Sequence, residues 1–354
     1  MIGPSGTELI IDRPGSFRIA AHRPHPPGYG EALVLVHTVG VCGSDREILQ
    51  GTRPEDFVRY PVVPGHEWSG TVAEVGPGVP VSLVGRKVVG EGFRNCGQCD
   101  RCRAGETTLC TAGYHETGFT TAGAMATTLT LPARLLHVLA DDADLTAAAL
   151  LEPAACAAAA ALKAAVAPGE RVAVVGTGAL GLLTVQLLAA CSPAHLLVVG
   201  RHSHFDSLAT EFGATRYRIT DDLADEGDFD LVVEAAGAPE SACTAAGLLR
   251  RGGRLVLTGI PAAGAAGLNP TDLVVRQLEI RTVFGAPPAA WAYAVRAFGA
   301  GILRPRPLVT HRFQLAEFAD AMDLVRSADP AVGKVLLALP AGSGHHHTHR
   351  EDTT

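Results

Sequence analysis

Apolar residues between positions 171 and 260 are grouped into short continuous runs, RVAVV, HLLVV, FDLVV and GRLVL, separated by stretches of mixed polarity. Each run is followed within a few positions by a glycine. A short, uninterrupted run rich in Val and Leu and closed by a turn residue is typical of a strand buried on both faces. Strands of this kind that alternate with helical stretches predict an α/β fold with a parallel, doubly wound sheet.

The rest of the chain has a different pattern. Residues 1 to about 150 are rich in Gly, Pro, Val and Thr in short extended runs, which indicates an irregular β domain. The mostly alanine stretch 145–168, LTAAALLEPAACAAAAALKAAVAP, predicts a packing helix rather than a membrane span. An aromatic-bearing helix is expected from about residue 289, and KVLLAL at 334–339 predicts a terminal strand. The tail 341–354 is polar, and we expect it to be disordered.

Composition and charge narrow the possible functions. The chain has 354 residues, of which 47% are hydrophobic and 18% charged, so it can form two domains with substantial cores. The formal charge of −7, from 29 basic and 36 acidic residues, and the lack of a basic cluster argue against nucleic-acid binding. The N-terminus has no cationic segment followed by an apolar one, so we expect no secretion signal and a cytoplasmic location. Cysteines kept reduced there point to metal before disulfides.

Half of the eight cysteines lie in NCGQCDRCRAGETTLC, residues 95–110, with the spacing C-x2-C-x2-C-x7-C. Thiolates at this spacing in a glycine-containing turn can converge on one tetrahedral zinc ion. Four sulfur ligands leave no position for water or substrate, so the predicted site is structural. The alternatives are an iron–sulfur cluster and cysteines without a metal. The predicted ligands are Cys96, Cys99, Cys102 and Cys110.

A second, open metal site is suggested upstream, where VCGSD and PGHEW place Cys42, His66 and Glu67 beside glycines. A catalytic zinc needs three protein ligands and one exchangeable position, and these residue types are suitable ligands. Glu152 stands among apolar residues before a proline, where a carboxylate needs a partner such as a metal. Hydrogen-bonded structural roles are the alternative for each residue, and spacing alone does not decide between the two.

The run RVAVV is followed by a glycine-rich turn and then by an apolar helical pattern. In this strand–turn–helix context the glycines give the turn its conformational freedom and let a pyrophosphate approach the helix N-terminus. The sequence therefore predicts a dinucleotide site. Its predicted residues in this turn are Gly176, Thr177, Gly178, Leu180 and Gly181.

The end of the next predicted strand, HLLVVGRH, bears on the choice of cofactor. NAD-binding folds usually place Asp or Glu there to accept hydrogen bonds from the ribose hydroxyls. Here the position is Gly200, followed by Arg201. Removal of the anion and addition of a guanidinium favour a ribose that carries a 2′-phosphate, hence NADP over NAD. The alternative is that Arg201 is a solvated surface residue.

In this order the motifs resemble those of the zinc-dependent medium-chain dehydrogenase/reductase superfamily, which includes alcohol, sorbitol, threonine and glucose dehydrogenases. The resemblance runs from about residue 20 to 340 and implies a GroES-like catalytic domain split around a Rossmann domain. The domain limits that follow are 1–152 for the catalytic domain, 153–288 for the Rossmann domain, 289–340 for the return to the catalytic domain and 341–354 for the tail.

The resemblance also assigns roles to the metal ligands. Cys42 and His66 match the first two ligands of the catalytic zinc, and Glu152 matches the remaining one as polyol and threonine dehydrogenases have it. Glu67 matches a carboxylate that is a ligand or exchanges with water as one. The cysteines of residues 95–110 match the structural zinc lobe, so that two zinc ions per chain are expected.

Three residues that follow Cys42 in the sequence, Ser44, Asp45 and Glu47, are expected to assist the reaction. Asp45 matches a carboxylate that orients the zinc-bound histidine, and Ser44 matches the hydroxyl that takes the proton of the alcohol. In that family zinc acidifies the alcohol and hydride passes to nicotinamide. Where many members have a histidine that ends the proton relay, this chain has Glu47. Glu47 accepts the proton, or the relay ends in water; the alternative role of Glu47 is a salt bridge with Arg46 or another surface cation.

The segments YPVVPGHEWSG and LVGRKVVGE look similar to 2-deoxy-scyllo-inosamine dehydrogenases, which favours a sugar, polyol or aminocyclitol alcohol as substrate. A simple alcohol or aldehyde is the second hypothesis. The zinc-free reductase branch of the superfamily lacks the cysteine and glutamate ligands, so their presence here argues against that branch. A zinc-binding interaction protein without catalysis is a further alternative. The family usually forms dimers or tetramers, and a predicted edge strand in 274–285, VVRQLEIRTVFG, would pair with a second copy.

Overall fold

The structure, a computed structural model, describes residues 6–261, 264–327 and 329–339. The predicted disordered tail, 341–354, lies outside the described residues. The strands are β1 (Gly6–Arg13), β2 (Ser16–His22), β3 (Glu31–Val41), β4 (Glu67–Val75), β5 (Lys87–Gly90), β6 (Thr128–Pro132), β7 (Leu136–Val138), β8 (Arg171–Val175), β9 (His195–Gly200), β10 (Arg216–Ile219), β11 (Phe229–Glu234), β12 (Leu249–Leu257), β13 (Glu279–Thr282), β14 (Val309–Gln314) and β15 (Lys334–Ala338).

Helices cover the second half of the chain more densely than the first. The α-helices are α1 (Gly43–Gln50), α2 (Asp100–Arg103), α3 (Leu145–Ala148), α4 (Leu151–Ala164), α5 (Ala179–Ala189), α6 (Asp206–Glu211), α7 (Ser241–Leu248), α8 (Pro270–Arg276), α9 (Pro288–Gly299) and α10 (Phe318–Arg326). Within the described ranges no helix is both long and apolar enough to cross a membrane.

Six strands form the parallel sheet that the apolar runs predict, in the order β10-β9-β8-β11-β12-β13. Alternate residues of a strand point to opposite faces, and both faces of this sheet are covered. In β8, Val172 and Val174 join the core formed with α4, α5 and α9, while Ala173 and Val175 join the core formed with α7. The predicted α/β fold with a doubly wound sheet is confirmed.

A second, mixed sheet has the order β14-β15-β3-β4-β5-β7, with β6 also paired to β3. Its two strands β14 and β15 come from the C-terminal end of the chain, and Val335 in β15 lies opposite Val41 in β3. The sheet is therefore built from the two ends of the chain, with the parallel sheet between them in sequence. The exact domain limits given above stay predictions.

The edge of the parallel sheet differs from the single strand expected over 274–285. Residues up to Arg276 form α8, and β13 covers only Glu279–Thr282. Asn269 caps α8 by accepting a hydrogen bond from the Thr271 amide at 2.9 Å, and a proline occupies the first turn. These start signals outweigh the strand propensity of the two valines in the helix.

Candidate metal and nucleotide site

The predicted ligands Cys42, His66 and Glu67 meet at the point where β3 and β4 run side by side. Cys42 directly follows β3 and is the N-cap of α1, whereas Glu67 begins β4 opposite Gly40 of β3. A Cβ on Gly40 would lie 2.2 Å from the Glu67 carboxylate, so only glycine leaves room for this side chain. The antiparallel pairing thus brings residues that are distant in sequence into one cluster.

The geometry of this cluster fits a metal ion. One ligand atom from each of Cys42, His66 and Glu67 lies within 4.8 Å of the others. Cys42 Sγ is 3.3 Å from His66 Nε2. Zinc bonds of 2.3 Å to sulfur and about 2.0 Å to nitrogen at a tetrahedral angle require a separation of about 3.5 Å. The thiolate and imidazole are therefore already close to the spacing of two zinc ligands.

Glu152 lies in the first turn of α4 and outside this set of three. Burial, together with the carboxylates of Glu67 and Glu116, raises its pKa to about 7 against the lowering effects of His66 and Lys334. Its Oε1 accepts a long contact of 3.8 Å from the thiol of Cys156. A partly buried carboxylate whose pKa is raised by other acidic groups is suited to bind a cation, as a fourth ligand would.

Asp45 is fully buried and lies beside His66, but the closest approach between Oδ1 and Nδ1 is 3.9 Å, too long for a hydrogen bond. Its Oδ2 accepts a hydrogen bond from the Cys42 amide at 2.9 Å. Asp45 Oδ1 and His66 Nδ1 are both buried without a partner among the described residues. Burial lowers the pKa of His66, but the Cys42 thiolate and Asp45 outweigh it and hold that pKa well above its ordinary value.

Ser44 and Glu47, the residues predicted for proton transfer, occupy the first turns of α1. Ser44 Oγ is 2.7 Å from Cys42 Sγ and therefore lies beside the ligand cluster. Glu47 is 45% exposed and pairs with Arg53 at 3.4 Å, not with Arg46. The partner is thus Arg53, whose side chain is only 12% exposed, rather than Arg46 or another surface cation, and the role of Glu47 in a relay stays a prediction.

Sequence reasoning missed Lys334, the first residue of β15. Its Nζ lies 2.5 Å from the Glu67 carboxylate, and the two side chains are 8% and 4% exposed. Burial opposes the charge, yet Glu67 and Cys42 outweigh it and raise the pKa of Lys334. A lysine at the start of an otherwise apolar run was the available signal, because buried charges are nearly always paired.

Glu116 is a second residue that the sequence did not single out. It is 6% exposed, its Oε2 accepts a hydrogen bond from the Tyr114 hydroxyl, and that hydroxyl accepts one from Arg53 at 3.1 Å. No described residue donates a hydrogen bond to Oε1, and a Cβ on Gly92 would approach it to 3.1 Å. Burial raises the pKa of Glu116, and the charge of nearby His66 partly offsets this effect.

An aromatic-lined cavity of about 220 Å³ adjoins this polar group. Tyr114 lines it together with Phe57, Phe93 and Phe284, whose rings meet edge to face at centroid distances of 4.8 to 6.2 Å. Phe284 follows β13 of the parallel sheet, whereas the other three belong to the N-terminal part of the chain. The cavity therefore lies where the domain that contains the mixed sheet meets the domain that contains the parallel sheet.

The four clustered cysteines also converge. Their sulfur atoms lie within 4.8 Å of one another, and Cys96 Sγ is 3.9 Å from Cys102 Sγ, against about 3.8 Å for two ligands of a tetrahedral zinc. Backbone amides of Gln98 and Cys99 each donate to Cys96 Sγ at 3.4 Å. Amide donation lowers the pKa of the Cys99 thiol to about 6, which favours the thiolate that binds metal. All eight cysteines are free thiols.

The glycine turn has the shape that a dinucleotide requires. Gly176 has a φ of 124°, and a Cβ there would lie 2.8 Å from the backbone of Ala235. A Cβ on Gly181 would lie 2.1 Å from Gly176 O, whereas Gly178, the N-cap of α5, faces open space. Two glycines thus permit close backbone packing, and the third leaves the helix N-terminus accessible to a phosphate. Thr177 and Leu180 are partly exposed in the same turn.

Two protein-family models match the chain. The family model of the alcohol dehydrogenase GroES-like domain matches residues 28–141, and that of the glucose dehydrogenase C-terminus matches residues 146–329. L-threonine 3-dehydrogenase of Salmonella gallinarum (strain 287/91 / NCTC 13346) is 29% identical over 323 residues, covering 88% of this chain and 93% of that protein.

Two crystal structures resemble the whole chain. A protein from Sinorhizobium meliloti 1021 bound to NADP has a TM-score of 0.88 and 27% identity, covering 95% of this chain and 100% of that one. The cobalt- and zinc-bound thermostable alcohol dehydrogenase from Pyrobaculum aerophilum has a TM-score of 0.86 and 29% identity, covering 94% and 99%. The chain belongs to the zinc-dependent medium-chain dehydrogenase/reductase superfamily and is an oxidoreductase of its alcohol and polyol dehydrogenase group.

Proposed function

We propose that this oxidoreductase interconverts a secondary alcohol of a sugar, polyol or aminocyclitol-like substrate and the corresponding ketone, with NADP(H) as its preferred cofactor and two zinc ions per chain. The observation that carries the substrate class is Glu116, a carboxylate 6% exposed that is influenced by the charge of His66, whose Oε2 accepts a hydrogen bond from Tyr114 and whose Oε1 accepts none from the described residues. A simple aliphatic alcohol offers nothing to this oxygen. A second hydroxyl or an ammonium group on the substrate would satisfy it.

The ligand cluster would perform the oxidation chemistry. Held by Cys42, His66, Glu152 and, in alternation with water, Glu67, zinc would polarise the substrate oxygen and acidify the alcohol. Ser44 would take the alcohol's proton, and the separation of 2.7 Å between its hydroxyl and the Cys42 sulfur supports this role. The proton would pass from there to solvent or to exposed Glu47.

Asp45 would act through His66. In the described arrangement its Oδ1 is unpaired and 3.9 Å from Nδ1, so a small rotation of the imidazole would complete a hydrogen bond. That bond would fix which ring nitrogen carries the proton and would leave Nε2, the nitrogen near Cys42, free to ligate.

The preference for NADP rests on the end of β9. Gly200 offers no carboxylate to a ribose hydroxyl, and exposed Arg201 forms no ion pair within the described ranges. A 2′-phosphate would supply the missing anion. The Sinorhizobium meliloti protein bound to NADP is a relative with this cofactor.

The test is a substrate panel assayed in both directions through nicotinamide absorbance. We expect kcat/KM for the best polyhydroxy or amino alcohol to exceed that for 2-butanol at least about 100-fold, since a hydrogen bond to a charged group contributes about 1.5–3 kcal/mol and several would form. Glu116→Gln should lose about 10- to 100-fold on that substrate and far less on 2-butanol. Equal activity on 2-butanol in the wild type would favour the simple alcohol dehydrogenase instead.

Metal content provides the second test. Two zinc ions per chain should fall to one in Cys42→Ala, with NADPH binding retained. One zinc ion in both proteins would overturn the assignment of Cys42, His66 and Glu152. Binding of neither NADPH nor NADH would favour the zinc-binding protein without catalysis.

We also propose a homodimer or homotetramer. The strand β13 lies at one edge of the parallel sheet, and the neighbouring Val274 and Val275 of α8 are 75% and 60% exposed. An open edge beside exposed valines is suited to pairing with a second copy. Light scattering coupled to size-exclusion chromatography would separate monomer, dimer and tetramer.

A further inference from the structure

Tyr217 fills the space in which a side chain at position 200 would begin. Its strand, β10, runs parallel to β9, and Tyr217 pairs with Val198, two residues before Gly200. A Cβ on Gly200 would lie 2.1 Å from the Tyr217 hydroxyl oxygen and 2.6 Å from Thr177 Cγ2. Non-bonded carbon and oxygen atoms do not approach this closely, so any residue larger than glycine requires both neighbours to move.

Tyr217 is not free to swing away. Its ring packs against the core formed with α4 and α5, and its hydroxyl donates a hydrogen bond of 2.6 Å to the carbonyl oxygen of His202. Displacing the ring would break that hydrogen bond and expose the apolar surface that packs against the core, which costs free energy. The tyrosine is thus held at both ends.

The same hydrogen bond holds the backbone that follows β9. His202 is the residue after Arg201, and two positions further on His204 Nε2 lies 2.7 Å from the carbonyl oxygen of Pro330. The segment that follows Arg201 is therefore tied down at two points. Arg201 itself stays exposed, and it forms no ion pair with any residue that the structure describes.

We infer that Tyr217 is the residue that selects the cofactor, because it excludes an acidic side chain at position 200 and anchors the segment bearing Arg201. This inference rests on the proposed use of NADP(H). In this arrangement position 200 must be glycine because Tyr217 occupies the space that a larger side chain would need. Restoring a carboxylate at position 200 would then be insufficient to give NADH binding, and removal of Tyr217 would be required as well.

The first experiment tests the space and needs no cofactor. With Thr177→Ala present throughout to remove the second close contact, Gly200→Ala should lower the melting temperature while Tyr217 is present and have little effect with Tyr217→Ala. A matched control, Gly178→Ala, adds the same methyl group where nothing lies within 4 Å. An equal loss from Gly200→Ala in both backgrounds would show that Tyr217 does not occupy the space.

The second experiment measures dissociation constants for NADPH and NADH by titration calorimetry on the full-length, zinc-loaded protein. Every variant in this experiment carries Thr177→Ala, which removes the Thr177 methyl group as a second obstacle to a side chain at position 200. Adding Gly200→Asp should weaken both cofactors without favouring NADH. Adding Gly200→Asp together with Tyr217→Ala should shift the ratio of the two constants at least about tenfold towards NADH. The same shift in both proteins would overturn the inference.

Tyr217→Phe separates the anchoring role, since it keeps the ring and removes only the hydroxyl. We expect a several-fold loss of NADPH affinity with NADH affinity unchanged; equal effects on both cofactors would contradict the anchoring of Arg201. If wild type itself binds NADH more tightly, the proposed NADP preference fails, while the comparison with and without Tyr217 still decides whether this residue controls position 200.

Discussion

The buried ion pair between Lys334 and Glu67 offers a sharp test of how the metal site is held together. Nζ lies 2.5 Å from the carboxylate, and the side chains are 8% and 4% exposed. Removing one partner of such a pair leaves an uncompensated buried charge, which costs about 3–5 kcal/mol. We therefore expect Lys334→Met to reduce the free energy of unfolding of the metal-free protein by about 3–5 kcal/mol at pH 8.

The pH dependence has a defined sign. The pKa of folded Lys334 is raised above the unfolded value of 10.5, because its acidic neighbours outweigh burial. The contribution of the pair is therefore complete below pH 10.5 and is lost only as the pH rises through the folded pKa. Between pH 7 and pH 9 the difference between wild type and Lys334→Met should not depend on the titration of the lysine.

The assay is urea denaturation followed by tryptophan fluorescence after zinc has been removed with a chelator. Lys163→Met is the matched control, because Lys163 is exposed. The double variant Lys334→Met with Glu67→Gln removes both charges and should recover most of the lost stability. A loss below about 1 kcal/mol in Lys334→Met, the level of a surface pair, would refute the reasoning.

Three further results are expected. Burial raises the pKa of Glu152 from 4.5 to about 7. The free energy of unfolding of the metal-free protein should therefore fall by up to about 3 kcal/mol as the pH rises from 4.5 to 7. Glu152→Gln should abolish this dependence of stability on pH in denaturation curves. In Gly181→Ala the added Cβ would lie 2.1 Å from the Gly176 carbonyl oxygen, so we expect calorimetry to detect no NADPH binding. Gly178→Ala adds its Cβ in open space and should leave the melting temperature of the protein unchanged. Cys99→Ser should remove one zinc ion per chain by mass spectrometry, with no such loss in Cys191→Ser, whose thiol contacts only a helix carbonyl at 3.5 Å.

Much of this molecule was predictable because its signals are local. The apolar runs and the glycine turn predict β8, β9, β11 and β12, since a strand and its turn are specified by neighbouring residues. The four lobe cysteines lie within residues 95–110, so their spacing alone predicted a shared metal. The one clear error, a single strand over 274–285, arose where valines of high strand propensity follow a helix cap.

What the sequence did not reveal depends on contacts between distant segments. Lys334 and Glu67 are 267 residues apart, and only the pairing of β15 with β3 brings them together. Glu116 is one acidic residue among many until burial and the hydrogen bond from Tyr114 distinguish it. Tyr217 explains the glycine at position 200 only once β10 is known to lie beside β9.

The insertion of β15 between β14 and β3 has a consequence for synthesis on the ribosome. The strands of the parallel sheet lie between Arg171 and Thr282, so this sheet can close before translation ends. The sheet that precedes Cys42 is complete only when the residues from Val309 onward have been made; until then β3 can pair with β4 and β6 but lacks β15. The nucleotide-binding half therefore matures first, and a chain that stops short of Lys334 would keep an open strand edge beside an incomplete metal site.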